Sequence, residues 1–314
     1  MDQGKTKGYI LGVIAAASYG MNPVFALPLM NDGMDAVSVL FFRYVLAIPA
    51  VWILMRIRGR RASIGGSRIM PCFILGVCMV LSSITLFRSY LFMDVGIAST
   101  LLFVYPLLVA LIMTAMYHEM MTVQAFAGLI GTIAGVWLLC DVNSSGNISL
   151  PGIILVLISS LTYAIYIVGI NRPPVKSVAT LSLTLYVLVS GAIVLGGIVL
   201  VRGSLAVPQT PWLWINVLLL ALVPTVLSFL CTNAAIEKIG STPTAALGAF
   251  EPVTAVIFGI LLFGEHLSMR SLLGLVIIIV CVTLVITSDN ITHHVLAIRK
   301  LFPKAHGRHG HRRQ

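Results

Sequence analysis

Apolar residues do not alternate with polar ones along this chain; they run together. Stretches of about 20 residues almost free of charge, the length needed to cross a bilayer as a helix, follow one another at roughly 8–30, 36–56, 69–92, 96–117, 122–141, 150–171, 178–201, 211–236, 242–264 and 269–288. The breaks between them are short and carry turn or charge signals: "NDGMD" at 31–35, "RIRGRRASIGGSR" at 56–68, "DVNSSGN" at 141–147 and "NRPPVK" at 171–176. The pattern predicts ten membrane-spanning helices rather than alternating barrel strands. The first run continues to about Met30, too far for a cleaved leader, and reads as a first span.

Lysine and arginine sit unevenly between the breaks. With the N-terminus inside, the inner segments hold Lys5, Lys7, Arg56, Arg58, Arg60, Arg61, Arg68, Arg172, Lys176, Lys238 and the basic tail from Arg299, whereas the outer loops hold Arg202 and Arg270. Both termini are therefore expected in the cytoplasm. Composition strengthens the membrane reading: 59% of the 314 residues are hydrophobic and 10% charged, against roughly 25% charged in soluble domains. The net charge of +10 follows from the inner loops and needs no nucleic acid partner. The five cysteines fall in or beside apolar runs without a C-x-x-C, so neither a disulfide framework nor a zinc site is expected. The tail "AHGRHGHRRQ", with His306, His309 and His311, reads as a solvated basic segment near anionic lipid.

The chain repeats itself. "YPLLVALIMTAMYHEMMTVQAFAGL" (105–129) aligns with "EPVTAVIFGILLFGEHLSMRSLLGL" (251–275), pairing Pro106 with Pro252, Glu119 with Glu265 and Gly128 with Gly274, each 146 positions apart. Upstream, Gly8 pairs with Gly152, Tyr19 with Tyr163 and Gly96 with Gly240, each 144 apart. Two halves result, 1–145 and 146–290, followed by the tail 291–314. Each half has five expected spans, an odd number, so the halves enter the membrane from opposite sides. The expected fold is an all-α polytopic membrane protein of ten transmembrane helices in two inverted five-helix repeats.

With these features the chain resembles an EamA-type member of the drug/metabolite transporter superfamily. The resemblance rests on the two copies of proline, glutamate and glycine just aligned, on "FFRYVLA" at 41–47 and on "SYGMNPVF" at 18–25, and covers about residues 8–288. It implies a bacterial inner-membrane secondary transporter that exports a small metabolite, such as an amino acid, by alternating access, as a monomer or homodimer without a cofactor. Relatives in the superfamily move nucleotide sugars or sugar phosphates, so an uncoupled uniporter or exchanger of such compounds is the alternative. The first repeat departs in one respect: Tyr105 stands where the second has Glu251.

Glu251 is the residue that needs explaining. It lies about nine residues, or about 13 Å at 1.5 Å per residue, from the expected inner end of its span. A charge at such depth costs roughly 2.5–3.5 kcal/mol on insertion scales, so a carboxyl there is a candidate for binding substrate, a proton or both. Beside it, Pro252 lacks an N–H and crowds the carbonyl of Gly248, which is tolerated in a membrane where the freed backbone lines protein or a wet cavity. Gly248 leaves room for a substrate or a close helix.

Arg43 and Arg88 are the other charges within spans. Each offers a forked donor for an anionic group or a switching partner for Glu251; the plainer roles are a structural arginine on helix-end carbonyls for Arg43 and a side chain reaching the outer surface for Arg88. Tyr19, Asn22, Tyr90, Tyr105, Tyr163, Tyr166 and Asn233 complete the candidate substrate site, with Tyr163 and Tyr166 on one helix face. Glu119 and Glu265, before the fifth and tenth spans, read as structural acids at helix starts, and Pro106, Pro252, Gly128 and Gly274 as structural marks of the repeat. No H-E-x-x-H, phosphate-binding G-x-x-x-x-G-K-[ST] or channel filter is present, and no paired nucleophile and base points to an enzyme.

Overall fold

The computed structural model describes residues 3–60, 63–117, 127–128, 130–131, 134–135, 138, 149–248, 250–264, 268–270, 272–277 and 279–281. Its described elements are helical. They are α1 (Gln3–Gly20), α2 (Asn22–Asn31), α3 (Ala36–Ile57), α4 (Gly66–Ser89), α5 (Val95–Leu102), α6 (Tyr105–Tyr117), α7 (Leu150–Ile170), α8 (Thr180–Arg202), α9 (Pro211–Ala221), α10 (Ser228–Ile239), α11 (Ser241–Leu247) and α12 (Phe250–Phe263). A single π-helical turn, Leu222–Leu227, joins α9 to α10, and a short 3-10 turn, Val175–Ser177, precedes α8.

Among the described residues, eight helical segments are long and apolar enough to cross a membrane, and they coincide with eight of the ten expected spans. The fifth and tenth spans fall only partly within the described residues, and Glu119 and Glu265 lie outside them. Within them Gly128 and Gly274 are helical and buried, Leu272–Cys281 is a shorter apolar helix, and Gly131 lies against Cys281.

The helices begin and end where local chemistry dictates. Asp35 caps α3 by accepting the Val37 N–H at 3.1 Å, and Thr210 caps α9 through Leu213 N–H at 3.4 Å, ahead of Pro211 at a position that needs no donor. Gly203 ends α8 in the left-handed conformation, φ 67°, which a side chain would resist. Three of the eight segments contain a full interruption. Met21 separates α1 from α2, just before Asn22-Pro23; Phe103 and Val104 separate α5 from α6, just before Tyr105-Pro106; and α12 restarts two residues after the Gly248 turn, with Pro252 in its first turn. Proline at the second or third position of a restarted helix forfeits no bond that the helix would otherwise make.

Large apolar side chains cover the outside as well as the interior: Ile10, Ile53, Leu161, Ile193 and Leu218 are all exposed. A helix that is apolar all round belongs in a core or in lipid, and here the outer surface itself is apolar. Inside, small residues set the spacing. A Cβ on Gly76 would meet the Ser190 Cβ at 2.5 Å, and one on Gly191 would overlap the Tyr44 ring. Ser82 and Ser159 join α4 to α7 at 3.0 Å.

The packing follows the sequence repeat. α1 packs along α10 as α7 packs along α4, α1 crosses α12 as α7 crosses α6, and α3 packs on its own repeat mate, α8.

Replacing Gly191 by alanine should destabilise the detergent-solubilised protein by about 1–3 kcal/mol through overpacking, read as a lower melting temperature. A Cβ on Gly197, six residues along the same helix, would meet nothing within 4 Å among the described residues. Gly197→Ala should leave the melting temperature unchanged or raise it.

Candidate functional site

Most of the candidate residues gather at the centre of the bundle, where the interrupted helices cross. An unbroken series of rings runs through it. Phe229 lies 6.4 Å from Tyr166; Tyr166 stacks on Tyr163 at 6.2 Å; Tyr163 stacks on Tyr19 at 5.8 Å; and the Tyr105 ring meets Tyr163 edge-on at 4.7 Å. The series continues through the Arg43 guanidinium, 6.0 Å from the Tyr19 ring and 5.7 Å from Phe87, to Tyr90, 5.6 Å from Phe87.

Glu251 enters from the first turn of α12 and is 4% exposed. Its Oε1 accepts from the Tyr105 hydroxyl at 3.4 Å, and its Oε2 has no hydrogen-bond partner among the described residues. The same hydroxyl lies 3.2 Å from the Ala245 carbonyl at the end of α11. One hydroxyl proton cannot serve both acceptors fully. The space left by Gly248 is filled by Tyr105, whose hydroxyl a Cβ there would overlap. Of the two uses expected for that space, the close helix is the one observed. On the other side α1 presses in: a Cβ on Gly20 would meet the Glu251 carbonyl oxygen at 2.5 Å. What remains around Glu251, Tyr105 and Tyr163 is a void of about 10 Å³, room for about one water molecule.

Arg43 is fully buried yet forms no ion pair with Glu251. Its Nε donates to the Thr225 hydroxyl and its Nη2 to the Pro224 carbonyl at 3.3 Å. Both acceptors belong to the π turn, whose wide loop and proline release carbonyls that a regular helix would use. Thr225 passes its own proton to Leu220 O at 2.7 Å. This is the plainer of the two roles expected for Arg43, with one addition: Nη1 is without a partner among the described residues. Pro224, inside an otherwise regular apolar run, was the available signal for this turn.

The remaining polar residues divide. Tyr166 donates to Asn233 Oδ1 at 3.2 Å, and Asn233 donates to Thr184 at 2.8 Å, a network that ties α7, α8 and α10 together. Asn22 donates back to Tyr19 O at 2.8 Å across the Met21 break, leaving Oδ1 unpartnered. Tyr44, next to Arg43 and 3.4 Å from Ser83, belongs to the same interior; within "FFRYVLA" only the charge of Arg43 stood out in the sequence.

Arg88 is not brought to Glu251. It is exposed and lines a cavity of about 720 Å³ at one end of the bundle. The walls are the end of α2 (Met30), Met34, the residues after α4 (Leu91, Phe92) and the start of α7 (Ile154, Leu155). Asp35 and Arg202 face the same cavity and form an ion pair at 3.2 Å. A second cavity, at the opposite end, measures about 70 Å³ and reaches inward to Asn233. The two are related by the sequence repeat: Met34, Ala36 and Phe92 line the first, and Val178, Thr180 and Ile236, each 144 positions later, line the second. In the smaller cavity Thr180 donates to Glu237 at 2.7 Å. Among the described residues no cluster of His, Cys, Asp and Glu is placed to hold a metal.

The model of the EamA-like transporter family matches residues 6–140 and again 150–287. The chain belongs to the EamA-like transporter family. It is also similar to an uncharacterized transporter of Bacillus subtilis (strain 168), YcbK, at 22% identity over 280 residues, covering 85% of this chain and 88% of the relative. A solved crystal structure superposes with a TM-score of 0.71 at 13% identity, over 92% of this chain and 99% of the other, a likeness of fold alone. The EamA-type protein described here is thus a multi-pass membrane transporter, and its buried charges sit among transmembrane helices.

Thr225→Val should strip the Arg43 Nε of its acceptor while keeping the side-chain shape. A buried charged donor left unbonded costs about 1–3 kcal/mol or more, so the variant should melt clearly below wild type. An unchanged melting temperature would remove Thr225 from the support of Arg43.

Proposed function

We propose that this EamA-type protein is a secondary exporter of a small metabolite, amino-acid-like in size and polarity, working by alternating access. Its halves, 1–145 and 146–290, form two inverted five-helix repeats in a ten-helix bundle, followed by the cytoplasmic basic tail 291–314. Both termini face the cytoplasm of a bacterial inner membrane. Substrate binds along the ring series between the halves, and Glu251 takes part in substrate binding and proton coupling.

The observation that carries this reading is the meeting of repeat mates at the centre. Tyr19 stacks on Tyr163, its counterpart 144 positions later. Tyr105 bonds Glu251, its counterpart 146 positions later. Residues equivalent by repeat touch each other only where the pseudo-two-fold axis passes, and inverted-repeat transporters hold substrate at that interface. Unequal cavities at the two ends, built from equivalent residues, fit a carrier open to one side and closed to the other. A carboxylate buried at mid-span with one oxygen unpartnered suits a group whose partner changes during the cycle. The membership in a transporter family argues against an enzyme.

Counterflow and pH-gradient uptake in proteoliposomes test the scheme. Glu251→Gln should abolish accumulation driven by a pH gradient while retaining exchange of substrate down its own gradient. Full gradient-driven accumulation by this variant would remove the proton role and favour the uncoupled exchanger. Conversion of the substrate, rather than its movement, would overturn the transport reading altogether.

A further inference from the structure

The cavity at the Arg88 end has a chemistry of its own. Its walls are methionine, leucine, isoleucine and phenylalanine, and its volume of about 720 Å³ falls within the range of small-molecule sites. Three charged side chains face it. Asp35 is fully engaged: Oδ1 accepts from Ser38, and Oδ2 accepts from the Val37 N–H and from Arg202. Arg202 is thereby neutralised. The Arg88 side chain has no hydrogen bond or ion pair among the described residues, and Asp32 and Asp94, at the same end of the bundle, do not line the cavity. Among the described residues, one positive charge therefore stands uncompensated against an apolar wall. The equivalent cavity at the other end has no such charge at this point: Arg88 corresponds to Thr232 or Ala234, depending on the register.

We infer that this cavity is a binding site for a water-soluble organic anion with an apolar body, its acidic group held by Arg88 and its body laid against Met30, Met34, Phe92 and Ile154. A guanidinium binds a carboxylate through two parallel N–H groups, and the flanking hydrocarbon supplies apolar area that a simple inorganic anion would leave unused. The rim carries an exposed ion pair, Arg202 and Asp35, with side chains 38% and 48% exposed, which suits a ligand that arrives from water rather than from the lipid. The proposal rests on the transport reading only in making this anion cargo on its way to or from the ring series.

Octanoate is a suitable probe, with octanol as its neutral counterpart. Full-length protein in nanodiscs of zwitterionic lipid should bind radiolabelled octanoate saturably and octanol more weakly. Arg88→Gln should lower octanoate affinity about tenfold, the scale of one charge-assisted hydrogen bond, and leave octanol unaffected. Arg88→Lys should restore part of the loss, and Ile154→Trp, which fills the cavity, should abolish binding of both. Arg56→Gln, which removes an exposed charge from the far end of α3, should bind octanoate as wild type does. If this binding persists while every transport assay fails, the site stands and its role as a cargo site falls. Three results would overturn the site: no saturable binding to wild type, equal affinity in Arg88→Gln, or displacement of octanoate by phosphatidylglycerol in the disc that Arg88→Gln relieves. The last would make it a lipid site.

Discussion

A helix interrupted within a bilayer releases backbone groups that no water is present to satisfy, and the centre of this protein is organised by that constraint. The Gly248 break leaves the Ala245 carbonyl within reach of the Tyr105 hydroxyl. The π turn sends the Pro224 carbonyl to Arg43. The Met21 break is bridged by Asn22 bonding back to Tyr19. Each repair uses a polar side chain from the central ring series or beside it. The residues that look like a binding site and the residues that hold broken helices together are the same ones, so any movement that opens one of these breaks also rearranges the site.

The two buried charges illustrate how this interior avoids self-neutralisation. A direct Arg43–Glu251 pair would be hard to separate at low dielectric, and breaking such a pair commonly costs several kcal/mol. Instead Arg43 is held by neutral oxygens of a distorted turn and faces the Tyr19 ring, while Glu251 shares one hydroxyl proton with a backbone carbonyl. Each retains one atom without a partner. Such atoms are costly where they serve no purpose, and this is the ground on which Glu251 is proposed to do more than hold the fold.

Much of the architecture was legible in the sequence. Eight expected spans recur as helices, and Pro106 and Pro252 mark two of the breaks, because proline and the length of apolar runs act locally. The register of the repeat paired Tyr19 with Tyr163, and the two rings prove to stack. Other features were not legible. Helices that are apolar on every face carry no periodic signal to say which side turns inward, so Tyr44 and Thr225 passed unnoticed beside Arg43. Nor does spacing along the chain say whether Arg43 or Arg88 approaches Glu251. That depends on helix crossing, and it sends one arginine to the π turn and the other to the mouth of a cavity.

The two halves also differ in one element that should be their match. The first is broken at Met21, whereas its counterpart α7 runs unbroken from Leu150 to Ile170, with Tyr166 and Ile167 in place of Asn22 and Pro23. A jointed rod therefore faces a stiff one across the centre. In the proposed alternating-access cycle, exchanging the roles of the halves would not give a two-fold-related copy of the present form, because only one of these two rods has a joint to bend. The two directions of motion would then begin from mechanically different parts, and their barriers would have no reason to be equal.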